Sequence, residues 1–201
     1  MMGKLKKLTG YRLFLPLSCL IIVLLINLIT TPTFFKITIN NGVLYGYIID
    51  VINRASELVV LAVGMTLVVS ASAGTDISVG AVMAVSAAVC TRVLAGGEVS
   101  VNEYANPYVL AVLAALAAAV VCGGFNGFLV AKLKIQPMVA TLILFTAGRG
   151  ISQLVTNGQI TYIRVDGYKL LGNNIPGIPI PTPIFVAVIV VALTYILLNK
   201  T

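Results

Sequence analysis

Asp76 is the residue whose type and position most strongly suggest a chemical or structural task. It is the one charged side chain in the 34-residue apolar stretch from Leu58 to Thr91. A charge at the centre of a membrane-spanning helix costs about 2.5–3.5 kcal/mol, so such residues usually serve a purpose. We favour the interpretation that the carboxylate caps a helix beginning near Ile77, where it would accept hydrogen bonds from free N–H groups. Alternatively, Asp76 could line a translocation path at a broken helix.

Asn126 and Arg149 are two further polar residues that lie inside apolar runs. The Arg149 guanidinium could extend outward to the membrane surface, pair with Asp76 or face a water-filled path. The amide of Asn126 could cross-link two helices or coordinate a solute. We favour structural anchoring for Arg149 and cross-linking for Asn126.

Several kinds of catalytic chemistry are excluded by the residue types present. Histidine is absent, which excludes a histidine metal site, a Ser–His dyad and a histidine proton relay. The three cysteines lie singly in apolar runs, so they indicate neither a disulfide framework nor a metal site. No GxxxxGK[ST] motif occurs, so any ATP hydrolysis is expected on a separate subunit. We expect no enzyme activity, no cofactor and no bound metal.

The composition is that of a membrane protein. Of the 201 residues, 59% are hydrophobic and 9% are charged, whereas a soluble domain is about 25% charged. This balance excludes a disordered chain and argues against a soluble enzyme. The 13 Lys and Arg residues are scattered between apolar runs rather than gathered into a stripe, which argues against nucleic-acid binding.

Six apolar runs approach the length of about 20 helical residues that a bilayer core requires. The predicted spans are 13–29, 58–73, 77–95, 108–131, 137–155 and 183–198. The first follows four basic residues without a cleavage site and is predicted to be an uncleaved signal anchor. Residues 47–57 are amphipathic and are predicted to form an interfacial lead-in to the second span. The predicted fold is all-α, a polytopic membrane helix bundle of about six spans.

The distribution of Lys and Arg orients this bundle. If the N-terminus lies in the cytoplasm, the inner segments hold seven basic residues in 23 positions, and the outer segments hold four in 67. The inner segments are then 1–12, 74–76, 132–136 and 199–201, and the outer ones 30–57, 96–107 and 156–182. Because basic residues concentrate on the cytoplasmic side of membrane proteins, we predict a cytoplasmic N-terminus.

Small residues recur at every fourth position on the third and fourth predicted spans. They are Gly80, Ala84 and Ala88 on the third, and Ala115, Ala119, Gly123 and Gly127 on the fourth. Small residues at this spacing let helix backbones approach closely in a membrane. The pattern is compatible with a movable bundle and with ordinary helix packing.

Three blocks of sequence resemble a known family. They are GMTLVV with GTDISVGAVM (64–69 and 74–83), GFNGFLV with LKIQP (124–130 and 133–137), and ATLIL with AGRG (140–144 and 147–150). The first resembles the G-I-D-L-S-V-G signature of permease subunits from bacterial sugar ABC importers of the ribose/galactose type. The blocks keep the family's order, and residues 50–55 and 134–159 are most similar to the galactofuranose-type member.

The resemblance implies a permease of the bacterial inner membrane that makes and breaks no substrate bond. Such permeases pair as homo- or heterodimers and assemble with two cytoplasmic ATPase subunits and an extracytoplasmic sugar-binding protein. They import by alternating access, switching between inward-open and outward-open forms. The candidate path or structural-motif residues in the matching blocks are Gly74, Asp76, Ser78, Gly80, Asn126 and Arg149.

Two other functional classes stay open. A secondary transporter or channel would need ion-coupling charges inside its spans, and only Asp76 and Arg149 qualify. A membrane scaffold without transport is the other class.

Members of the resembled family have about ten spans, so residues 1–201 are expected to be the N-terminal part of one permease domain. Such a part would lack the cytoplasmic loop that docks on the ATPase, and it should not transport alone.

Overall fold

The computed structural model describes residues 13–40, 42–165, 167–168, 172 and 178–200. These residues form six α-helices. They are α1 (Phe14–Thr30), α2 (Tyr47–Ser72), α3 (Val79–Ala95), α4 (Tyr108–Ala131), α5 (Pro137–Val155) and α6 (Thr182–Lys200). Helices α2, α4, α5 and α6 are long and apolar enough to cross a membrane, while α1 and α3 have 17 residues each. The predicted all-α membrane bundle is confirmed.

Helix α2 differs from its prediction. Residues 47–57, predicted to be an amphipathic lead-in to the second span, are the first three turns of α2, so the helix begins before the predicted residue 58. Neither Gly nor Pro occurs between Tyr47 and Val63, so no residue breaks the helix before the apolar run begins. The polar residues Asp50, Arg54 and Glu57 are exposed and lie within this continuous helix.

The chain leaves the helical conformation between α2 and α3, from Ala73 to Ser78. Ala73 adopts the left-handed conformation with φ 52°, and its N–H donates to the Val69 carbonyl, which closes the helix as a C-cap residue does. Helix α3 then begins at Val79, two residues later than the sequence predicts.

Helix α3 is the centre of the packing. It lies against α4 and α5, whereas α2 packs against α6. Its buried positions include Ala81, Val85 and Ala88, which are spaced along one helical face. A Cβ added at Gly148 of α5 would lie 3.0 Å from the Cβ of Ala81. This close approach of α3 and α5 depends on small residues, as is usual between membrane helices.

The connecting segments meet at opposite ends of the helices. At one end, strand β3 (Ser100–Val101) pairs in parallel with β4 (Tyr162–Ile163). At the same end, the hairpin of β1 (Thr38–Asn40) and β2 (Val43–Tyr45) is joined to residue 179 by a hydrogen bond from Leu44 N–H to the Pro179 carbonyl, 3.1 Å long. All three segments predicted to be external are thus linked. At the other end, the α2–α3 connection contacts the start of α5, as described below.

Candidate functional site at the helix break

Asp76 organises the turn that precedes α3. Its Oδ1 accepts hydrogen bonds from the Ser78 backbone N–H at 2.7 Å and from the Ser78 hydroxyl at 2.6 Å. A carboxylate that bonds the backbone two residues on is a common way to stabilise a turn. The predicted acceptor role is observed, but the predicted cap needs correction. Ser78 is the N-cap residue, and no side chain bonds the first turn of α3.

Asn126 joins this turn to α4. Its Nδ2 donates to Ser78 Oγ across 2.8 Å, and Ser78 is fully buried while Asn126 is 6% exposed. The single hydroxyl proton of Ser78 is committed to Asp76, so Ser78 Oγ can only accept from Asn126. This requirement sets the orientation of the amide and turns its Oδ1 away from Ser78. That Oδ1 is buried and has no hydrogen-bond partner. Of the two interpretations of Asn126, the structure supports cross-linking.

Helix α5 holds the other side of the turn. The Ile77 N–H donates to Thr141 Oγ1 at 3.2 Å, and Thr141 is 3% exposed. A Cβ added at Gly74 would lie 2.6 Å from both Cβ and Cγ of Pro137, so only glycine fits beside the first residue of α5. Sequence reasoning did not assign these roles to Thr141 and Pro137. Both residues lie in the sequence blocks that resemble the permease family, and that resemblance was the signal that could have identified them.

A cavity of about 550 Å³ lies beside this network. Its lining includes five polar or charged residues, namely Ser72, Asp76, Asn126, Lys134 and Thr141. Its other lining residues come from the last turns of α2 and α4 and the start of α5, namely Val68, Ala71, Gly123, Gly127, Val130, Ala131 and Pro137. A Cβ at Gly123 or Gly127 would meet no atom within 4 Å, so these two glycines leave open space rather than packing against a described helix.

Gly80 and Arg149, two other predicted site residues, lie away from the network. Gly80 is exposed, and a Cβ there would meet no atom within 4 Å. The Arg149 guanidinium lies 4.6 Å from the ring centroid of Phe145 in its own helix, which is cation–π distance. Arg149 follows Thr141 by eight residues, or about 12 Å along α5, and it does not join the Asp76 turn.

The predicted packing residues have different surroundings. On α3, Ala88 is buried and Ala84 is half-buried. On α4, Ala115 and Ala119 are half-buried and lie on the face that also carries buried Ala111.

The opposite end of α3 is held by polar side chains. Arg92 Nη1 donates to the Gly97 carbonyl at 2.9 Å, and Asn106 Nδ2 donates to the Val93 carbonyl at 2.8 Å. The first bond ties α3 to the residue after its C-cap, and the second adds a side-chain donor to a carbonyl that also accepts from the Gly96 N–H. Nearby, burial raises the pKa values of the Tyr104 and Tyr168 phenols.

Among the described residues, no group of three or more Cys, Asp or Glu side chains could hold a metal ion. The acceptors that come together at the helix break are one carboxylate, one amide and hydroxyl groups. This arrangement can bind hydrogen-bond donors.

Comparison with known proteins relates the whole helical region to transport permeases. Residues 47–201 match a family described as "Branched-chain amino acid transport system / permease component". The chain is 42% identical to the galactofuranose transporter permease protein YtfT of Escherichia coli, over 92% of this chain and 51% of that relative. It is 34% identical to the fructose import permease protein FruF of Bifidobacterium longum, over 98% of this chain and 54% of that protein.

A further relative is the ribose import permease protein RbsC of Escherichia coli, which is 32% identical over 92% of this chain and 54% of its own length. The chain therefore spans about half the length of the curated relatives it matches. No solved structure matches it significantly. Since the family match covers most of the residues, from α2 onward, the chain belongs to the permease family described as the branched-chain amino acid transport system / permease component.

Proposed function

We propose that this chain forms part of the membrane-spanning subunit of an ATP-driven sugar importer. The observation that carries the proposal is similarity to sugar permeases over 92–98% of the chain, named for galactofuranose, fructose and ribose transport. The subunit provides a path for the solute and leaves ATP hydrolysis to separate subunits. It makes and breaks no bond in the solute.

A branched-chain amino acid is the second candidate substrate, because the matching family is described by that activity. A monosaccharide is favoured by the three relatives above, each a permease named for a sugar. The two classes also differ in charge. An amino acid at neutral pH carries an ammonium and a carboxylate, whereas a sugar is neutral and is held by hydrogen bonds to polar groups.

Transport by alternating access requires a bundle whose helices can shift against each other. The non-helical segment Ala73–Ser78, which joins α2 to α3, is the described point where such motion would act. Two contacts of the Ala73–Ser78 segment connect it to both neighbouring helices, through Asn126 on α4 and Thr141 on α5. A movement of α4 relative to α5 would therefore act directly on this segment and on Asp76.

The subunit lies in the bacterial inner membrane with its N-terminus in the cytoplasm. The described parts of segments 30–57, 96–107 and 156–182 are linked at one end of the bundle. The excess of basic residues in the other segments supports the assignment of that end to the outside. The helix break and the α4–α5 connection then lie at the cytoplasmic end. Residues 1–12, which hold four of the inner basic residues, lie outside the described part of the chain.

The proposed partners follow from this role. A second permease subunit, in a homo- or heterodimer, would complete the path. Cytoplasmic ATP-binding subunits would supply the energy, and an extracytoplasmic sugar-binding protein would deliver the solute to the external segments. The lipid bilayer is the remaining partner: α1 buries none of its described side chains, and its apolar surface suits contact with lipid.

A secondary transporter or channel is the main alternative mechanism, and its requirements fit the geometry less well. Ion coupling would use charged residues inside the spans, with Asp76 and Arg149 as the candidates. Arg149 stacks on Phe145 instead of approaching Asp76, so the two charges do not form a coupled pair in this conformation.

Reconstitution tests the proposal. The transporter containing this subunit is purified with its ATP-binding subunits, placed in liposomes and supplied with the sugar-binding protein. We expect ribose, fructose or galactofuranose to accelerate ATP hydrolysis and to be imported only with ATP present. Import driven by an ion gradient without ATP would establish the secondary transporter, and stimulation by leucine alone would establish the amino acid substrate.

A further inference from the structure

Three of the polar side chains around the cavity at the helix break are already hydrogen-bonded within the protein. The Ser72 hydroxyl donates to a carbonyl of its own helix at 2.8 Å. The Thr141 hydroxyl accepts from a backbone N–H at 3.2 Å. The Asn126 amide donates to Ser78, and its Oδ1 is buried and closed off from the cavity. These groups hold the protein together, so the two charged residues of the lining are left to bind a ligand.

These two residues, Asp76 and Lys134, both keep binding capacity. Asp76 uses Oδ1 for its two hydrogen bonds with Ser78, and its Oδ2 is accessible and has no partner among the described residues. The Lys134 side chain is exposed and pairs with no described residue, so the two charges do not pair with each other. A carboxylate oxygen and an ammonium beside one cavity are complementary to a ligand that carries both an ammonium and an anionic group.

The connection between α4 and α5 places the cation at the cavity. Lys134 has φ 56°, in the left-handed region that residues other than glycine rarely adopt. Such conformations persist where the surrounding structure requires them. Lys132 lies in the same connection and is also exposed, but only Lys134 belongs to the lining. The two lysines are therefore a matched pair for an experiment.

The polarity of the cavity changes with depth. Its lining on α4 runs from Ala131, the last residue of the helix, to Gly123, about 12 Å deeper in the span. Gly123 and Gly127 are exposed, and a Cβ at either position would meet no atom within 4 Å. Asp76 and Lys134 lie in the connections between helices, at the shallow end. Charges at the membrane surface above an apolar wall inside the span match an amphiphile.

The described helices leave this apolar wall open. Helix α2 packs mainly against α6, and α3 packs against α4 and α5. No described helix therefore closes the gap between the last turns of α2 and those of α4, where Val68 and Ala71 are exposed. Because these helices are membrane spans, lipid acyl chains surround them. Basic pockets between spans at the cytoplasmic side of a membrane bind phospholipid headgroups, and the basic residues of this chain assign the cavity to that side.

We propose that this cavity binds a phospholipid whose headgroup carries a primary ammonium and a phosphate, as phosphatidylethanolamine does. The ammonium donates hydrogen bonds to Asp76 Oδ2, Lys134 binds the phosphate, and an acyl chain lies along Gly127 and Gly123. The bound lipid ties the helix break to the α4–α5 connection. The site does not depend on which solute the transporter carries, so it is tested separately from sugar import.

The two charged contacts determine which headgroup is preferred. The quaternary ammonium of phosphatidylcholine has no N–H to donate to Asp76, and phosphatidylglycerol has no ammonium at all. Both lipids still offer a phosphate to Lys134. We therefore expect phosphatidylethanolamine to bind more tightly than either, with the Asp76 carboxylate as the source of the difference.

Native mass spectrometry of the purified, assembled transporter tests the site. The complex is titrated in detergent with dioleoyl phosphatidylethanolamine, phosphatidylcholine or phosphatidylglycerol, and the bound lipid is counted at each concentration. We expect phosphatidylethanolamine to bind severalfold more tightly than the other two. Equal binding of the three lipids, or no retention of phosphatidylethanolamine, would overturn the proposal.

Charge variants assign the contacts. Lys134→Gln should weaken phosphatidylethanolamine binding severalfold, whereas Lys132→Gln should leave it unchanged. Asp76→Asn keeps an oxygen for the Ser78 N–H and removes the charge, so it should abolish the preference for phosphatidylethanolamine over phosphatidylglycerol. Equal losses from the two lysine variants would indicate general attraction of phospholipid to basic residues and would overturn the site. An unchanged preference in Asp76→Asn would overturn the ammonium contact.

A steric variant locates the acyl chain. A leucine side chain at position 127 would occupy the cavity, so Gly127→Leu should also weaken phosphatidylethanolamine binding severalfold. Gly124 has open space around it but is not part of the lining, so Gly124→Leu should bind like the unsubstituted protein. Unchanged binding by an assembled Gly127→Leu transporter would place the lipid elsewhere and overturn the site. If Gly127→Leu does not assemble, the charge variants decide.

Discussion

Ser78 and Asn126 are 48 residues apart in the sequence and are joined by a 2.8 Å hydrogen bond inside the protein. The bond connects the start of α3 to the last two turns of α4. Because the Ser78 hydroxyl also donates to Asp76, three side chains from two parts of the chain form one continuous polar chain. Such a chain should behave as a unit when it is mutated.

The first prediction concerns this unit. Ser78→Ala and Asn126→Leu should each lower the free energy of unfolding by about 1–3 kcal/mol. Ser78→Ala leaves the buried Asn126 Nδ2 without an acceptor, and Asn126→Leu removes the hydrogen bond that Ser78 Oγ accepts. The double variant should lose less than the sum of the two, because residues in direct contact are not additive. Thermal unfolding of the detergent-purified protein measures the three values. Asn102→Ala, at an exposed position, is the control, and strict additivity would contradict the coupling.

The second prediction separates the charge of Asp76 from its acceptor oxygen. Asp76→Asn keeps an oxygen for the Ser78 N–H and should retain most of the accumulation and transport. Asp76→Leu removes the acceptor, so it should cost about 0.5–2 kcal/mol of stability and reduce accumulation. Immunoblots of membranes and sugar uptake measure both. A variant Asp76→Asn that assembles normally but does not transport would establish a functional role for the charge.

The third prediction compares two glycines in the same signature block. Gly74→Ala should destabilise by about 1–3 kcal/mol, because its Cβ would collide with the rigid ring of Pro137 and force a backbone shift. Gly80→Ala meets open space and should be neutral or stabilise α3 by up to about 1 kcal/mol. Unfolding midpoints of the purified variants provide the measurement. Equal effects at the two positions would contradict the close contact between the helix break and α5.

The fourth prediction concerns orientation. Asn102 lies in the 96–107 segment and Lys132 at the end of α4, and both are exposed. In a background without Cys19, Cys90 and Cys122, Asn102→Cys should react with an impermeant maleimide in intact cells. Lys132→Cys should react only after the membrane is opened. The reverse pattern would place the helix break outside and would contradict a cytoplasmic N-terminus.

Helix content was largely predictable because it depends on local chemistry. Apolar run length and breakers such as Pro107 and Pro137 place α4 and α5 at the predicted residues 108–131 and 137–155. The 47–57 segment, predicted as an amphipathic lead-in, is continuous with the second span as part of α2, because a polar face does not end a helix. The hydrogen bonds from Ser78 to Asp76 could also be predicted from the sequence, because they join residues only two positions apart.

The sequence by itself determined that the chain is a helical membrane protein, that the helices are interrupted near Asp76, and that three of its blocks resemble a permease family. The tertiary structure alone decided that Asn126, Thr141 and Pro137 surround this break, and that Arg149 does not. The reason is physical: in spans that are apolar on all sides, hydrophobic periodicity does not specify which face meets which neighbour. Helix rotation is set instead by small-residue contacts and a few buried hydrogen bonds, and these join residues between 48 and 64 positions apart.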